Sequence, residues 1–367
     1  MSSPSLASAS GGGKISAVLL IFLAVASAWY YLGEEVATLQ STFLPTKQDK
    51  SYKSTDAGLV FTNIELHHGP PPFPNLLVVG AEQGGVPELG SMIASMTNDV
   101  CAPPSGSNAV NYFSTATDKT GKFKHGSPQK GKEFYASHYR ACQDEPYHLD
   151  ATANYFYMPE MIANFYKTTK LKPQNGDVKV IIALREPVAR EYDYFQFKAK
   201  KCLDGEQTDA WCKGAVEFAD DGTRIPTTFS KYIQSSVLPG CKYPNKAFSK
   251  FQWCRGQYVA YLRLWMQYFE RGGNILVLRY EDIVYSPDAT MNRVRAFLGI
   301  SLDTEYKVKA IPPLRAPEDL KCQDQDDLME VYSLPNLNLY LELSNNPGPA
   351  MERTPFPKFK LPRCSWR

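Results

Sequence analysis

The chain has 367 residues, of which 43% are hydrophobic and 21% are charged. This composition excludes an intrinsically disordered protein, and the length allows one large α/β domain or two small ones. The formal net charge is only +2, which argues against a protein that binds nucleic acid through bulk charge. A site for an anion must therefore come from the local placement of basic groups.

The N-terminus predicts a membrane anchor. Residues 1–14 form a Ser/Gly/Ala-rich tail, and residues 15–32 then run without a charge into a Trp-Tyr-Tyr cluster. About 20 apolar residues span a bilayer, and aromatic residues favour its interface. Lys14 before the run and Glu34 after it place the tail in the cytosol, as in a single-pass type II protein. The alternative is a cleaved signal peptide, because Ala26-Ser27-Ala28 has the A-x-A pattern.

All eight cysteines follow this segment. An even number after a secretory-type start favours disulfides formed in a luminal compartment. Cys202 with Cys212, and Cys241 with Cys254, are close enough in the chain to close small loops. The full connectivity cannot be read from the spacing, and buried free thiols are the alternative. There is no C-x-x-C pair and no zinc pattern, so no metal site is predicted.

The rest of the chain divides into a stem and a domain. Residues 33–74 end in dense proline, which predicts an extended linker, and residues 75–367 form the domain. Within it, the apolar runs Leu76–Gly80, Val178–Leu184 and Asn274–Leu278 predict buried strands that alternate with helices. We therefore expect an α/β fold, a three-layer sandwich in which helices cover both faces of a central parallel sheet.

The first predicted strand leads into a Gly-rich turn. Gly84 and Gly85 follow Gln83, and a helix is expected to begin near Pro87. Glycines let the backbone approach an anion closely, and the helix N-terminus supplies N–H groups that lack helical acceptors. This strand–turn–helix unit predicts an anion-binding turn.

The second predicted strand ends in an arginine. Arg185 follows the apolar run directly, and Pro187 can begin the next helix. Open α/β sheets bind ligands at the carboxyl ends of their strands. The planar guanidinium can donate two parallel hydrogen bonds to a phosphate. The alternative is an arginine that only pairs with Glu186 or another nearby carboxylate.

A family resemblance joins these motifs. The sequence REPVAREYDY at residues 185–194 resembles the 3′-phosphate motif of sulfotransferases that use PAPS, and resemblance runs in ordered segments from residue 76 to 343. It implies a P-loop NTPase-like sulfotransferase fold, PAPS as co-substrate and Arg185 as a phosphate ligand. Asp193 stands where the family usually has serine. Its carboxylate would repel the phosphate unless Arg185 or Arg190 neutralises it.

The Gly-rich turn resembles the family's 5′-phosphosulfate loop, G-x-x-K-G-G-T, with changes. Gly84 and Gly85 match the glycine pair, whereas Gln83 replaces the lysine that neutralises the phosphosulfate bridge. Val86 replaces the hydroxyl residue, and Pro87 removes one N–H donor. Loss of a charge-assisted contact costs on the order of 1.5–3 kcal/mol in binding, and loss of transition-state neutralisation costs about a hundredfold in rate.

A third segment concerns the acceptor. Residues 132–139, KEFYASHY, are similar to the family's K-E-x-H-F-F-x-x-x-Y segment, which carries the base that activates the acceptor. The register is ambiguous, because aligning Glu133 with the family's glutamate places the aromatic pair too early, whereas aligning that pair puts Gly131 at the base position. Glu133 and His138 are the candidates for the base. A base must come within about 3 Å of the acceptor hydroxyl, directly or through one water. The alternatives are an exposed carboxylate and a loop histidine without a catalytic role.

These patterns lead to two hypotheses. The first is a Golgi membrane sulfotransferase that transfers a sulfuryl group from PAPS to a hydroxyl of a glycan or similar acceptor. The second is a catalytically impaired protein of the same fold that acts as a binding or regulatory partner, favoured by Gln83, Val86, Pro87 and Asp193. A P-loop NTPase is discounted because the G-K-[S/T] ending is missing. If the signal peptide is cleaved, the protein is expected to be secreted. No nucleic-acid partner is expected. The oligomeric state is not predicted.

Overall fold

The computed structural model describes the following parts of the domain: residues 72–96, 98–104, 108–113, 130–142, 144–206, 212–241, 254–269, 273–301, 320–345 and 356–365. The predicted tail and anchor, and the stem up to residue 71, lie outside them. Within the described ranges, no helix has the length and apolar character that a bilayer span requires.

The central layer is a parallel sheet. The strands are β1 (Leu76–Gly80), β2 (Val100–Cys101), β3 (Tyr147–Asp150), β4 (Lys179–Leu184), β5 (Val216–Phe218), β6 (Arg224–Pro226) and β7 (Ile275–Arg279). Five of them form one sheet in the order β2-β3-β1-β4-β7, and every pairing in it is parallel. β5 and β6 form a separate antiparallel hairpin. The three apolar runs predicted as strands are β1, β4 and β7, three neighbours at the centre and one edge of the sheet.

Helices connect these strands. They are α1 (Val86–Ala94), α2 (Lys132–Ser137), α3 (Pro159–Lys167), α4 (Pro187–Leu203), α5 (Cys212–Ala215), α6 (Phe229–Tyr232), α7 (Leu238–Cys241), α8 (Tyr258–Tyr268), α9 (Tyr280–Tyr285), α10 (Pro287–Leu298) and α11 (Cys322–Asn345). Short 3₁₀ turns precede α3 and β4, and a π turn separates α6 from α7.

Both faces of the sheet are covered. Side chains alternate between the faces of a strand, so Val79 and Ile182 pack in one core with Trp265 of α8, whereas Ile181 packs in the other with Met291 of α10. Trp265 also donates its indole N–H to the Phe156 carbonyl at 2.9 Å. The predicted α/β fold with a central parallel sheet is therefore confirmed.

All eight cysteines form disulfides, so the alternative of buried free thiols is wrong. The two short-range pairings expected from chain spacing are present. The four bonds are Cys101–Cys142, Cys202–Cys212, Cys241–Cys254 and Cys322–Cys364. The longer two could not be read from the sequence, because they join segments 41 and 42 residues apart.

Candidate active site

The Gly-rich turn follows β1 and crosses the end of the neighbouring strand β4. Gly80 lies against the neighbouring strand so closely that a Cβ there would be 2.2 Å from the Ala183 carbonyl oxygen. The Ala81 N–H donates to this same carbonyl at 3.1 Å. Gln83 and Gly85 both have positive φ, 64° and 87°, which turns the chain sharply into α1. The turn is therefore held at the carboxyl end of β1, beside β4.

Arg185 lies directly beside this turn. Its Nη1 donates to the Gln83 carbonyl at 3.1 Å, and its guanidinium lies over the Tyr280 ring at 4.6 Å. The Tyr258 hydroxyl donates to the Arg185 carbonyl at 2.8 Å. The two predicted anion-binding turns therefore meet at the same edge of the sheet.

A carboxylate already neutralises Arg185. Its Nη1 is 2.5 Å from Oδ2 of Asp193, and both side chains are largely buried. Burial raises the pKa of the Asp193 carboxyl, while the Arg185 charge opposes this rise. The arginine does pair with a carboxylate, but the partner is Asp193 and not Glu186, and the guanidinium still faces the turn.

Arg190 is not part of this edge. It is fully buried and pairs with Glu191, which also accepts from the Tyr232 hydroxyl at 2.8 Å. Burial raises the pKa of Glu191, and the Arg190 charge opposes the rise. Of the two arginines that could have neutralised Asp193, the structure assigns only Arg185 to it.

A second arginine reaches the Gly-rich turn from a distant segment. Arg255 forms an ion pair with Glu82 and lies over the Tyr157 ring at 4.4 Å. Sequence analysis missed this residue, although it stands directly between Cys254, which is disulfide-bonded, and Gly256. Glu82 is thus neutralised in the described structure, and the turn carries less negative charge than its sequence indicates.

The two base candidates lie on α2, apart from these turns. Glu133 is exposed in the first turn of the helix. The Nδ1 of His138 lies 2.9 Å from the Phe134 carbonyl. Among the described contacts, neither side chain reaches Gln83 or Arg185. The structure therefore does not bring Glu133 or His138 to the anion-binding turns, and their role stays a prediction.

Asp150 connects α2 to the sheet. It ends β3 and is fully buried, and its carboxylate accepts from the Tyr135 hydroxyl at 2.7 Å and from the Val110 N–H at 3.1 Å. Burial raises the pKa of Asp150. The hydrogen bond from Tyr135 fastens α2 beside the carboxyl end of β3.

A buried glutamate, Glu186, and a partly buried one, Glu281, lie near Arg185. Glu186 caps α4 by accepting from the Ala189 N–H at 2.7 Å, and its own N–H donates to Glu281 at 3.3 Å. Burial raises the pKa of Glu186 to about 7 and also raises the pKa of Glu281. Sequence analysis identified Glu186 only as part of a motif, because burial of a carboxylate by distant segments leaves no local signal.

The fold is that of an α/β protein in which the Gly-rich turn and Arg185 meet at the carboxyl ends of adjacent parallel strands. Residues 100–315 match the family model described as "Sulfotransferase domain", and the chain belongs to this family. The matched region contains Glu133, His138, Arg185 and Asp193 but begins after the Gly-rich turn.

One solved structure supports the fold. A sulfotransferase from Alicyclobacillus acidocaldarius is 17% identical with a TM-score of 0.50, over 74% of this chain and 96% of that one. The sulfotransferase domain from the curacin biosynthetic pathway is 11% identical with a TM-score of 0.35, over 63% of this chain and 76% of that one. No curated protein matches the sequence. At such identities, the first likeness concerns the fold alone.

Proposed function

We propose that this protein transfers a sulfuryl group from PAPS to a hydroxyl group, with a glycan or similar molecule as acceptor. Family membership supports sulfotransfer in general. The observation that carries the proposal is the 3.1 Å hydrogen bond from Arg185 to the Gln83 carbonyl. This bond joins the turn that resembles the phosphosulfate loop to the arginine that matches the 3′-phosphate motif. A doubly phosphorylated nucleotide needs these two elements side by side.

The residues at this edge of the sheet fit PAPS only in part. The first turn of α1 carries N–H groups without helical acceptors, although Pro87 contributes none. Arg185 is available for the 3′-phosphate only after it releases Asp193. The donor supplies the sulfuryl group, and Gln83 can offer a neutral hydrogen bond where the family has a charged one. We expect weaker binding and slower transfer than a lysine-containing loop would give.

A second candidate function rests on a specific observation. Both arginines that contact the Gly-rich turn, Arg185 and Arg255, already pair with carboxylates, and Gln83 brings no charge. A protein that retains the fold and binds a partner without turnover would show this arrangement. We therefore keep a catalytically impaired binding or regulatory protein as the alternative.

One experiment separates the two. The purified full chain is incubated with radiolabelled PAPS and a panel of glycans, and its melting temperature is measured with saturating PAP. Transfer of label, lost in Arg185→Ala but retained in the exposed Arg263→Ala control, supports the enzyme. A PAP-induced shift without transfer supports the binding protein. The absence of both overturns the proposal that this edge binds PAPS.

A variant that is expected to transfer the sulfuryl group faster provides a further test of the same site. Gln83→Lys restores the charge that the family places at the phosphosulfate bridge, so we expect about a hundredfold faster transfer. Gln83→Met, which is of similar length and uncharged, serves as its control. Equal rates in both variants would contradict a role for this position in neutralising the transferred group.

We also propose a type II Golgi membrane protein with a luminal domain. The uncharged run at residues 15–32 and the four disulfides support this location, since disulfides persist in oxidising compartments. Protease protection and alkaline extraction of tagged full-length protein test it. A membrane-retained, protected C-terminus is expected. A protein that begins after Ala28 and is released to the medium would favour the secreted alternative.

A further inference from the structure

A pocket of about 230 Å³ lies beside Glu186. It opens between α11 and the C-terminal segment at residues 356–365. Its walls combine apolar, aromatic and polar side chains: Glu186, Met329, Ser333, Asn336, Leu337, Tyr340, Lys358, Phe359 and Leu361. None of the residues predicted as PAPS ligands or as the acceptor base lines it, although Glu186 belongs to the motif at residues 185–194.

Glu186 presents one oxygen atom to this pocket. The side chain is 1% exposed, and Oε2 is used by the Ala189 N–H that it caps. The other oxygen, Oε1, has no hydrogen-bond partner among the described residues. A buried carboxylate oxygen without a donor is costly, which indicates that a donor from outside the described chain belongs there.

Asn336 presents a second acceptor. It is 7% exposed, and its Oδ1 also lacks a partner within the described ranges. Nearby, the Phe359 N–H donates to the Tyr340 hydroxyl at 3.0 Å, and the two rings lie 6.0 Å apart between centroids. The pocket therefore combines two buried acceptors with an aromatic wall.

The charges around Glu186 favour a cationic ligand. Glu281 adds negative charge to the same region. The cations that oppose it are engaged elsewhere, Arg185 with Asp193 and the Gln83 carbonyl, and Arg279 with Asp282 and the Lys358 carbonyl. Lys358 also lines the pocket, but it is exposed and can extend into solvent. A ligand cation would face one carboxylate directly and a second one behind it, in a partly desolvated site where such contacts are strong.

We propose that this pocket binds a primary ammonium group carried on a small aromatic or apolar body. The ammonium has three N–H donors, enough for Glu186 Oε1 and Asn336 Oδ1 together, whereas a hydroxyl has only one. The body packs against Tyr340 and Phe359, whose rings also attract a cation, and against Leu337. This site requires neither PAPS nor sulfuryl transfer.

The test uses phenethylamine and its neutral analogue 2-phenylethanol, titrated calorimetrically into the full chain. The amine is expected to bind at least about tenfold more tightly than the alcohol, because the charge-assisted contact is lost in the latter. Glu186→Gln keeps an oxygen for the Ala189 N–H but removes the charge, so its affinity for the amine should fall about tenfold or more. Equal affinity for amine and alcohol would overturn the proposal.

A second variant does not depend on the buried glutamate. Ser333 is exposed and lines the pocket, so Ser333→Phe should fill it and abolish amine binding. Leu334→Phe is the matched control, since Leu334 is 64% exposed and is not part of the lining. Unchanged amine binding in Ser333→Phe, or no amine binding by the unmodified protein at millimolar concentration, would refute the site. PAP binding, measured in parallel, tests the proposed function separately.

Discussion

Asp193 pairs with Arg185, the residue that we propose as a ligand of the 3′-phosphate. The ion pair between them occupies the arginine that the family motif assigns to the 3′-phosphate. Asp193→Ser removes the competing carboxylate and restores a hydroxyl. We expect PAP affinity to rise about tenfold or more, because like-charge repulsion disappears and the arginine becomes available. Calorimetric titration measures the PAP affinity, and the exposed Glu160→Gln variant is the charge-matched control. Unchanged PAP affinity in Asp193→Ser would contradict this account.

The raised pKa of Asp193 gives PAP binding a pH dependence. A bound phosphate favours the protonated, neutral form of Asp193, so affinity should increase as pH falls through the pKa of this carboxyl. Phosphate protonation near pH 6 also contributes, but it is common to the unmodified protein and Asp193→Ser. The ratio of their affinities should therefore be largest at alkaline pH and shrink towards acidic pH. A ratio that stays constant from alkaline pH down to about pH 4, the ordinary range of an Asp carboxyl, would exclude Asp193 as the titrating group.

Gly85 shows a steric requirement at the same edge. Its φ is 87°, and a Cβ there would lie 2.7 Å from Cδ2 of Tyr280, the ring beneath Arg185. Gly85→Ala should cost about 1–2 kcal/mol from backbone conformation alone and should weaken PAP binding by displacing the ring. Gly273→Ala is the control, because no described atom lies within 4 Å of its added Cβ. Urea unfolding and PAP titration provide the two readouts, and equal behaviour of both variants would contradict the steric argument.

At the scale of elements, apolar runs predicted β1, β4 and β7 but missed β2 and β3. β1 and β4 are fully or almost fully buried along their length, so their sequences are continuous hydrophobic runs. β3 reads Tyr-His-Leu-Asp and is buried only in its second half, which leaves no such run. Its place in the sheet depends on pairing with β1 and on contacts from distant segments, and local sequence does not contain that information.

The two long-range disulfides allow a matched comparison. Cys322–Cys364 and Cys101–Cys142 close segments of nearly equal length, 42 and 41 residues. Replacing either pair with serine should therefore lower stability by a similar amount, about 2–4 kcal/mol, which urea unfolding measures. Only the Cys322–Cys364 replacement should also weaken phenethylamine binding, because this bond fastens the C-terminal segment that carries Phe359. Equal affinity for phenethylamine after both replacements would show that binding in the pocket does not depend on the C-terminal segment.

At the scale of the whole molecule, the parts of the site that lie within a single local motif could be predicted from the sequence. Gly84 and Arg185 follow apolar strands, and parallel strands end at one edge, so their proximity follows from topology. Arg255 and Glu186 could not be assigned in this way. The first reaches the turn from a segment far along the chain, and the second acquires its shifted pKa from burial by α11 and the C-terminal segment.

The salt bridge between Arg185 and Asp193 has a consequence for selectivity. Asp193 is a tethered counter-ion, present beside the guanidinium at a high effective concentration whatever the surrounding solution contains. Chloride or inorganic sulfate, which offers no second point of attachment, competes poorly with it. Under the proposed function, we expect a nucleotide that also engages the Gly-rich turn to gain enough from that second contact to displace the carboxylate. We therefore expect the salt bridge to favour anions that bind at two points over simple ones.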